Sequence, residues 1–223
     1  MRDTAIVDVD GTLVDTNYQH ALAWYRAFRR FGITLDLWRI HRAIGMGGDQ
    51  LVAHIAGPQV EDEYGAELRQ ASAEEFDQLI DEISPFEGAV PLLEELKARR
   101  FRLVLASSGQ RRHVEHFLEL IDGKKIADAW TTADDVQASK PHPDLVAAAL
   151  VSVAGARGVM IGDSTWDALA AGKLDLPTLA VRTGGFGRDE LLEAGATAVF
   201  DSLGELQEHL DATPLREAGH HAM

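Results

Sequence analysis

The chain of 223 residues contains no cysteine and only five lysines. Without cysteine, neither a disulfide nor a thiolate metal site can form. Long apolar stretches are also absent, and no run is long enough to predict a helix that crosses a membrane. Because Asp3 and Asp8 interrupt the first residues, we expect no secretory signal and a cytoplasmic protein without a membrane partner.

Basic residues are outnumbered, with 21 Lys and Arg against 36 Asp and Glu and a formal net charge of −15. This balance argues against nucleic acid as a partner, because nucleic-acid-binding proteins present a basic face. An anionic substrate would also be repelled by the chain as a whole. A phosphate site in this chain therefore requires a metal ion or a well-placed Lys or Arg.

The pattern of apolar residues predicts an α/β fold with an insertion. Residues 5–7 form an apolar run that ends in acids and a glycine, which is typical of a buried strand. Residues 17–83 show helical periodicity, with helices expected over 35–44, 50–56 and 61–83 and Asn17 as an N-cap. From residue 84 onward strands and helices alternate, which indicates a parallel sheet covered on both faces. We predict a Rossmann-like doubly wound parallel sheet formed by residues 1–16 and 84–223, with residues 17–83 inserted as an all-α cap domain.

Two acids follow the first strand. Asp8 and Asp10 are two residues apart, so on a strand they would share one face, and Gly11 lets the chain turn after them. Paired carboxylates suit a hard cation such as Mg²⁺. A carboxylate can also act as a nucleophile toward phosphorus. The alternative is an acidic turn or a helix cap.

Two further segments offer groups that bind phosphate. Ser107 and Ser108 follow an apolar strand, where a hydroxyl and the amides of the turn can bind a phosphate oxygen. The alternative for Ser107 is an N-cap of the next helix. Lys140 precedes Pro141, whose fixed backbone favours a held ammonium over an ordinary solvated one.

The fourth segment repeats the arrangement of the first. An apolar strand ends in Gly162 and Asp163, and Asp167 lies four residues later, so both acids can meet at one helix entrance. A helix cap is again the alternative. All four segments follow strands, and the carboxyl ends of parallel strands are where one pocket is expected.

Together, the four segments resemble the haloacid dehalogenase-like superfamily of phosphohydrolases. That family carries DxDGT, a strand-ending Ser or Thr, a Lys and GDSxxD in this order, and the resemblance covers nearly the whole chain. The helical insertion is similar to the small α-helical cap of the family. The resemblance implies a phosphoric monoester hydrolase that uses Mg²⁺.

The resemblance also implies roles for individual residues. Asp8 would be the nucleophile, and Asp10 would protonate the leaving oxygen and then activate water. The transferring phosphoryl group would be bound by Ser107, Ser108 and Lys140. The metal would be held by Asp8, the main-chain carbonyl of Asp10 and Asp163, with Asp167 in support.

The cap resembles that of β-phosphoglucomutases and phosphoglycolate phosphatase-like enzymes. His20, four residues before Trp24, is either packed on an aromatic ring or placed at the mouth of the site. Gly47 and Gly48 are expected to face the substrate, and Asp49 follows them where the mutases carry an arginine.

The residues of the cap disfavour several related reactions. Residues 16–84 contain no lysine, which disfavours phosphonate hydrolysis through a Schiff base. It also weakens the assignment as a sugar-phosphate mutase, because the mutases use cap cations to hold a second phosphate. Arg39, Arg42 and Arg69 remain as substitutes for the missing cap cations. The presence of Asp10 argues against dehalogenation.

We therefore expect a Mg²⁺-dependent phosphatase that hydrolyses a small phosphomonoester, of the phosphoglycolate or sugar-phosphate type, through an aspartyl-phosphate. The alternative is a phosphotransferase and isomerase similar to β-phosphoglucomutase. The expected partner is a small phosphorylated metabolite, and the protein is expected to be a monomer or a homodimer.

Overall fold

A computed structural model of the chain describes residues 3–155 and 157–216. Six parallel strands in these ranges form one sheet with the order β3-β2-β1-β4-β5-β6. The strands are β1 (Thr4–Asp8), β2 (Arg102–Ala106), β3 (Ala129–Thr131), β4 (Gly158–Gly162), β5 (Thr178–Val181) and β6 (Ala198–Phe200). The predicted doubly wound parallel sheet is confirmed.

The central strand β1 lies between β2 and β4, with Asp8 beside Ala106 and Val7 beside Ile161. The chain moves outward from β1 to β2 and β3, and then returns to the other side with β4. The order of the strands therefore reverses at β1 and β4. A crevice at the carboxyl ends of the strands is expected at such a point.

Eleven α-helices accompany the sheet in the described ranges. In the cap they are α1 (Asn17–Arg30), α2 (Leu37–Ala43), α3 (Gly48–Ala56) and α4 (Pro58–Asp77). In the core they are α5 (Ala89–Ala98), α6 (Arg111–Leu120), α7 (Gly123–Ile126), α8 (Asp144–Ser152), α9 (Thr165–Gly172), α10 (Arg188–Glu193) and α11 (Leu203–Glu208). None of these helices has the length and apolar character needed to cross a membrane.

Alternate side chains of the strands build two apolar layers. On one face Val7, Leu105 and Ile161 belong to a cluster that also contains residues of α5, α6 and α11. On the opposite face Ile6 and Met160 belong to a cluster with residues of α8 and α9. This division follows from the two-residue period of a strand, and it explains why β1 is buried at every position.

Residues 17–83 fold as a helical unit between β1 and α5. The cap has its own apolar cluster, which includes Trp24, Phe28 and Leu68. No strand forms among residues 17–83, all of which the structure describes. Helix α4 begins earlier than the expected residue 61, because Pro58 occupies its first turn after Gly57, where a proline needs no hydrogen-bond partner for its nitrogen.

Two local expectations differ from the structure. The short helix α7 was not expected, since four residues are too few to show helical periodicity. Asn17 is not an N-cap but the first residue of α1, after Thr16. Its side chain instead donates a hydrogen bond to Asp163, 146 positions further along the chain.

The end of α4 is anchored to the core through Phe76, which is 1% exposed and belongs to the main apolar cluster of the core. Its ring makes an edge contact with Phe117 of α6, with ring centroids 6.1 Å apart. One aromatic side chain therefore joins the cap to the sheet layer.

We expect Phe76→Ala to lower the free energy of unfolding by about 3–5 kcal/mol, because it leaves a cavity between cap and core. Urea denaturation followed by circular dichroism measures this loss. Trp38→Ala, at a side chain that is 67% exposed, is the control and should change stability by less than about 0.5 kcal/mol. A loss for Phe76→Ala as small as that of the control would show that this contact does not anchor the cap.

Candidate active site

The site begins at the carboxyl end of β1, where the chain turns sharply after Asp8. Gly11 has a φ of +76°, and a Cβ atom at this position would lie 2.6 Å from Asp163 Oδ2. Only glycine fits both the left-handed backbone and this close approach. The turn brings the end of β1 against the end of β4.

Lys140 is the charged group at the centre of the site. Its side chain is 1% exposed, and Nζ donates to Asp8 Oδ1 at 2.5 Å and to Asp167 Oδ1 at 2.8 Å. Burial alone would lower the pKa of Lys140, but Asp167 and Asp8 outweigh it and raise the pKa above its ordinary value. The ammonium is therefore held and charged, and the alternative of a solvated lysine is wrong.

The acids around Lys140 exceed it in charge. Asp8, Asp163 and Asp167 are buried and offer carboxylate oxygens that all lie within 4.8 Å of one another. Burial raises the pKa of Asp8 well above its usual range, although Lys140 acts in the opposite direction. Burial and the charge of Asp167 raise the pKa of Asp163 to about 7.

This cluster fits a divalent cation with oxygen ligands. One ammonium faces three carboxylates, so the cluster lacks positive charge when all three are ionised. The hydroxyl of Thr12 lies 3.0 Å from Asp8 Oδ2 and 2.9 Å from Asp163 Oδ1, yet its single proton can be donated to only one of them. A hard divalent cation would supply the missing charge, and carboxylate oxygens are ligands that such a cation prefers.

Asp167 has two different partners. One oxygen accepts from the Nζ of Lys140, and the other accepts from the main-chain N–H of Ser164 at 3.1 Å and from its hydroxyl at 2.6 Å. Asp167 thus takes part in the N-terminal capping of helix α9, which was the alternative interpretation of this residue. It also supports Lys140, so the two interpretations are compatible.

Asp10 lies apart from the acid cluster. Its carboxylate accepts a 2.5 Å hydrogen bond from the hydroxyl of Ser107 and lies 3.0 Å from His20 Nε2. Burial alone would raise the pKa of Asp10, but the interactions with His20 and Ser107 outweigh it and lower the pKa. Asp10 therefore differs from the three clustered acids in its hydrogen-bond partners, although its charge also acts on Asp8.

The serines after β2 also have different surroundings. Ser107 donates its hydroxyl proton to Asp10 and is not a helix cap, since Gln110 precedes α6. The hydroxyl of Ser108 is buried, faces the cavity described below and has no hydrogen-bond partner among the described residues. A buried donor without a partner is suited to an oxygen of a bound group.

His20 of α1 satisfies both interpretations of its position. Its ring stacks on Phe76, with ring centroids 4.0 Å apart and planes 10° apart. At the same time Nε2 is hydrogen-bonded to Asp10. The cap therefore contributes a side chain that touches an expected catalytic acid.

The cap also closes on the loop that carries Lys140. The main-chain N–H of Gly47 donates to the carbonyl of Lys140 at 3.4 Å, and Asp49 accepts hydrogen bonds from the N–H of Ser139, at 3.0 Å, and from its hydroxyl. A Cβ atom at Gly47 would overlap Ser139. Glycine fits here because the side chains of Ser139 and Asp49 occupy the space that a Cβ atom would take.

A cavity of about 310 Å³ lies between the cap and the carboxyl ends of the strands. Its base includes the predicted residues Asp8, Asp10, Ser108 and Lys140, and its cap side includes His20, Gly48 and Arg69. Of the other cap arginines considered, Arg39 and Arg42 do not line it, and Arg42 instead contacts Glu190 and Phe186.

Three residues of the site were not found by sequence reasoning. Thr12 was part of the DxDGT motif but was given no role. Asn17 was interpreted as a helix cap, and Asp49 was interpreted only as a missing cation. No local signal identifies the partners of Asn17 and Asp49, because those partners lie 146 and 90 residues away.

Comparisons with known proteins find similar sequences along most of the chain. The family model described as haloacid dehalogenase-like hydrolase matches residues 5–181. The chain is 25% identical over 185 residues to validoxylamine A 7'-phosphate phosphatase from Streptomyces hygroscopicus subsp. limoneus, covering 77% of this chain and 81% of that protein. It is 30% identical over 206 residues to phosphoglycolate phosphatase from Caulobacter vibrioides, covering 89% and 86%.

Solved structures with the same fold are also found. A hydrolase from Pseudomonas syringae superimposes with a TM-score of 0.89 at 34% sequence identity. The match covers 95% of this chain and 99% of that structure. The fold is therefore shared along almost the whole chain.

We expect Asn17→Ala to weaken Mg²⁺ binding by roughly 10- to 100-fold, because groups that orient a metal ligand contribute about this much to affinity. Isothermal titration of the substrate-free protein with MgCl₂ measures the affinity. Asp163→Ala should weaken binding further, since it removes a ligand. Tyr18→Phe, at an exposed neighbour on α1, is the control. Unchanged Mg²⁺ affinity in Asp163→Ala would exclude Asp163 from the metal site.

Proposed function

The chain belongs to the haloacid dehalogenase-like hydrolase family and is a phosphoric monoester hydrolase, and we propose that it is a Mg²⁺-dependent phosphatase acting through an aspartyl-phosphate. The observation that carries the proposal is the buried pair of Asp8 and Lys140 at the base of the cavity between the cap and the strand ends. A carboxylate held by an ammonium can accept a phosphoryl group that the acidic chain would otherwise repel.

In the first step a carboxylate oxygen of Asp8 forms a bond to phosphorus while the bond from phosphorus to the ester oxygen breaks. Asp10 donates a proton to the departing oxygen, so the alcohol leaves neutral. Asp10 must therefore be protonated at this stage. A bound phosphate dianion favours that form, since a negative charge beside an acid raises its pKa.

In the second step water attacks the phosphorus of the aspartyl-phosphate. Asp10, now a carboxylate, takes the proton from the water. The bond between phosphorus and the oxygen of Asp8 breaks, inorganic phosphate leaves, and both acids return to their starting states. Lys140 and the hydroxyls of Ser107 and Ser108 bind the phosphoryl oxygens during both steps.

The metal would be held by Asp8, Asp163 and the main-chain carbonyl of Asp10, with Asp167 supporting through Lys140. When bound, Mg²⁺ supplies positive charge that stabilises the phosphoryl oxygens in the transition state. The cap covers one side of the cavity, and shielding of the phosphoryl group from water would favour attack by Asp8 in the first step.

The substrate is proposed to be a small phosphorylated metabolite that fits the cavity between cap and core. Two relatives are named for validoxylamine A 7'-phosphate and for phosphoglycolate, and these compounds differ in charge outside the phosphate. Similarity alone therefore does not choose between sugar-like and carboxylate-bearing esters. The cytoplasmic location and the monomeric or homodimeric state remain predictions.

We expect Asp8→Asn to lower phosphate release by at least roughly three orders of magnitude, since loss of a covalent nucleophile commonly has effects of this size. The assay is release of inorganic phosphate from p-nitrophenyl phosphate with Mg²⁺, after mass spectrometry has excluded deamidation back to aspartate. Asp81→Asn, at an exposed acid, should retain activity. Residual turnover of Asp8→Asn within tenfold of the unaltered enzyme would contradict the covalent step.

The competing function is that of a β-phosphoglucomutase-like isomerase. A mutase must hold the second phosphate of its bisphosphate intermediate while that intermediate reorients in the site. Holding it requires cations in the cap. On the cap side of the cavity the described residues include one arginine, Arg69, and it is already paired with Glu61. The structure of the cap thus favours hydrolysis.

We expect β-glucose 1-phosphate to yield free phosphate and little glucose 6-phosphate, even with glucose 1,6-bisphosphate present. Parallel assays of phosphate release and of glucose 6-phosphate by coupled dehydrogenase measure the two products. No cleavage of phosphonates is expected, because the cap has no lysine. Efficient isomerisation with little phosphate release would establish the mutase instead.

A further inference from the structure

Arg69 is the one arginine of the cap that lines the cavity, and its charge is already neutralised. Its Nη1 donates to both carboxylate oxygens of Glu61, at 2.8 and 2.9 Å, and approaches the carbonyl of Gly48 at 3.3 Å. Both side chains are partly buried, with 32% of Arg69 and 23% of Glu61 exposed. One nitrogen of the guanidinium is therefore held by Glu61 and by the carbonyl of Gly48 in α3, and the charge of Arg69 is paired with that of Glu61.

The pair depends on a glycine inside α4. Glu61, Gly65 and Arg69 are spaced four residues apart and so lie along one side of the helix. A Cβ atom at Gly65 would lie 2.5 Å from Glu61 Oε1. The carboxylate occupies the space where any other side chain at position 65 would begin. Glycine is unfavourable within a helix. Its presence at position 65 is explained by the Glu61 side chain, which fills the space beside it.

The other charged residues around the cavity outside its base do not replace Arg69. The carboxylates of Asp49 and Asp134 line it. His113 is hydrogen-bonded to Asp77. Burial lowers the pKa of His113 and outweighs the opposing effect of Asp77. A leaving group that carries a carboxylate or a second phosphate would meet more negative charge than positive charge here.

Uncharged polar and apolar groups complete the wall. Ser72, Gln110 and Gln137 offer neutral donors and acceptors, while Trp24 and Met46 provide apolar surface. This combination suits an uncharged, hydroxyl-bearing alcohol, because hydroxyls can exchange hydrogen bonds with amides and hydroxyls without a counter-charge.

We propose that Glu61, whose carboxylate lies against Gly65, neutralises Arg69 and restricts the enzyme to phosphomonoesters with uncharged leaving groups. This inference rests on the proposed phosphatase function and names the substrate class of the same site. It selects sugar-like esters over phosphoglycolate, bisphosphates and pyrophosphate. Glu61 is thus a specificity-determining residue that acts through Arg69.

The experiment compares two substrates of nearly equal size, 2-hydroxyethyl phosphate and 2-phosphoglycolate, which differ by a hydroxymethyl group against a carboxylate. Phosphate release gives kcat/KM for each, with p-nitrophenyl phosphate as a general probe of phosphatase activity. The unaltered enzyme should prefer 2-hydroxyethyl phosphate.

Two variants release Arg69 in different ways. Glu61→Gln removes the charge, and Gly65→Ala displaces the carboxylate while improving the helix. Each should shift the ratio of kcat/KM toward 2-phosphoglycolate, on the order of tenfold for Glu61→Gln, the size of one partly screened charge interaction. The shift should appear mainly in KM. The double variant Glu61→Gln/Arg69→Gln should lose it, and Glu67→Gln, at an exposed acid on the same helix, should not change the ratio.

A wild-type preference for 2-phosphoglycolate would overturn this inference and leave the phosphatase intact. An unchanged ratio in both Glu61→Gln and Gly65→Ala would do the same. Absence of phosphate release from all three compounds, with Mg²⁺ present and the fold verified by circular dichroism, would refute the phosphatase function and this inference with it.

Discussion

The buried ion pair between Lys140 and Asp8 is the interaction on which the rest of the site depends. A charge that is removed from water is costly unless it is paired, and Lys140 is satisfied by Asp8 at the end of β1 and by Asp167 at the start of α9. The loop after β3, the central strand and α9 are therefore tied together at one point. The same contact holds the proposed nucleophile in place and opposes the effect of burial, which raises the pKa of Asp8.

The charged residues of the site form two groups, one at the base of the cavity and one on its cap side. At the base of the cavity, the negative charge of Asp8, Asp163 and Asp167 exceeds the positive charge of Lys140. A divalent cation would balance this excess. On the cap side, Glu61 cancels Arg69, and Asp49 is used to bind Ser139. With a divalent cation bound, positive charge would lie where the phosphoryl group is proposed to bind, while the one arginine on the cap side is paired with Glu61. A protein with a net charge of −15 can in this way bind a phosphate ester and still discriminate among its alcohols.

The fold and the core of the site could be predicted because their signals are local. The apolar run before Asp8 and the glycine after Asp10 mark a strand end within ten residues, and the alternation of strands and helices after residue 84 implies the parallel sheet. The family resemblance added the order of the motifs. By contrast, the contacts of Asn17 with Asp163 and of Asp49 with Ser139 join separate parts of the chain, so no periodicity shows them. Glu61 and Arg69 are close in sequence, but their effect on the cavity depends on which side of α4 faces it. That orientation is set by the packing of the cap and cannot be predicted from the local sequence.

The central claim is that Asp8 carries the phosphoryl group during turnover. Rapid mixing of the enzyme with Mg²⁺ and p-nitrophenyl phosphate, followed by acid quench, protease digestion and mass spectrometry, tests it directly. We expect one phosphoryl group on the peptide that contains Asp8, assigned to Asp8 by fragmentation, and we expect it to form and decay at rates compatible with turnover. Phosphate release without a phosphorylated Asp8, or with the phosphoryl group on His20 or a serine of the site, would contradict it.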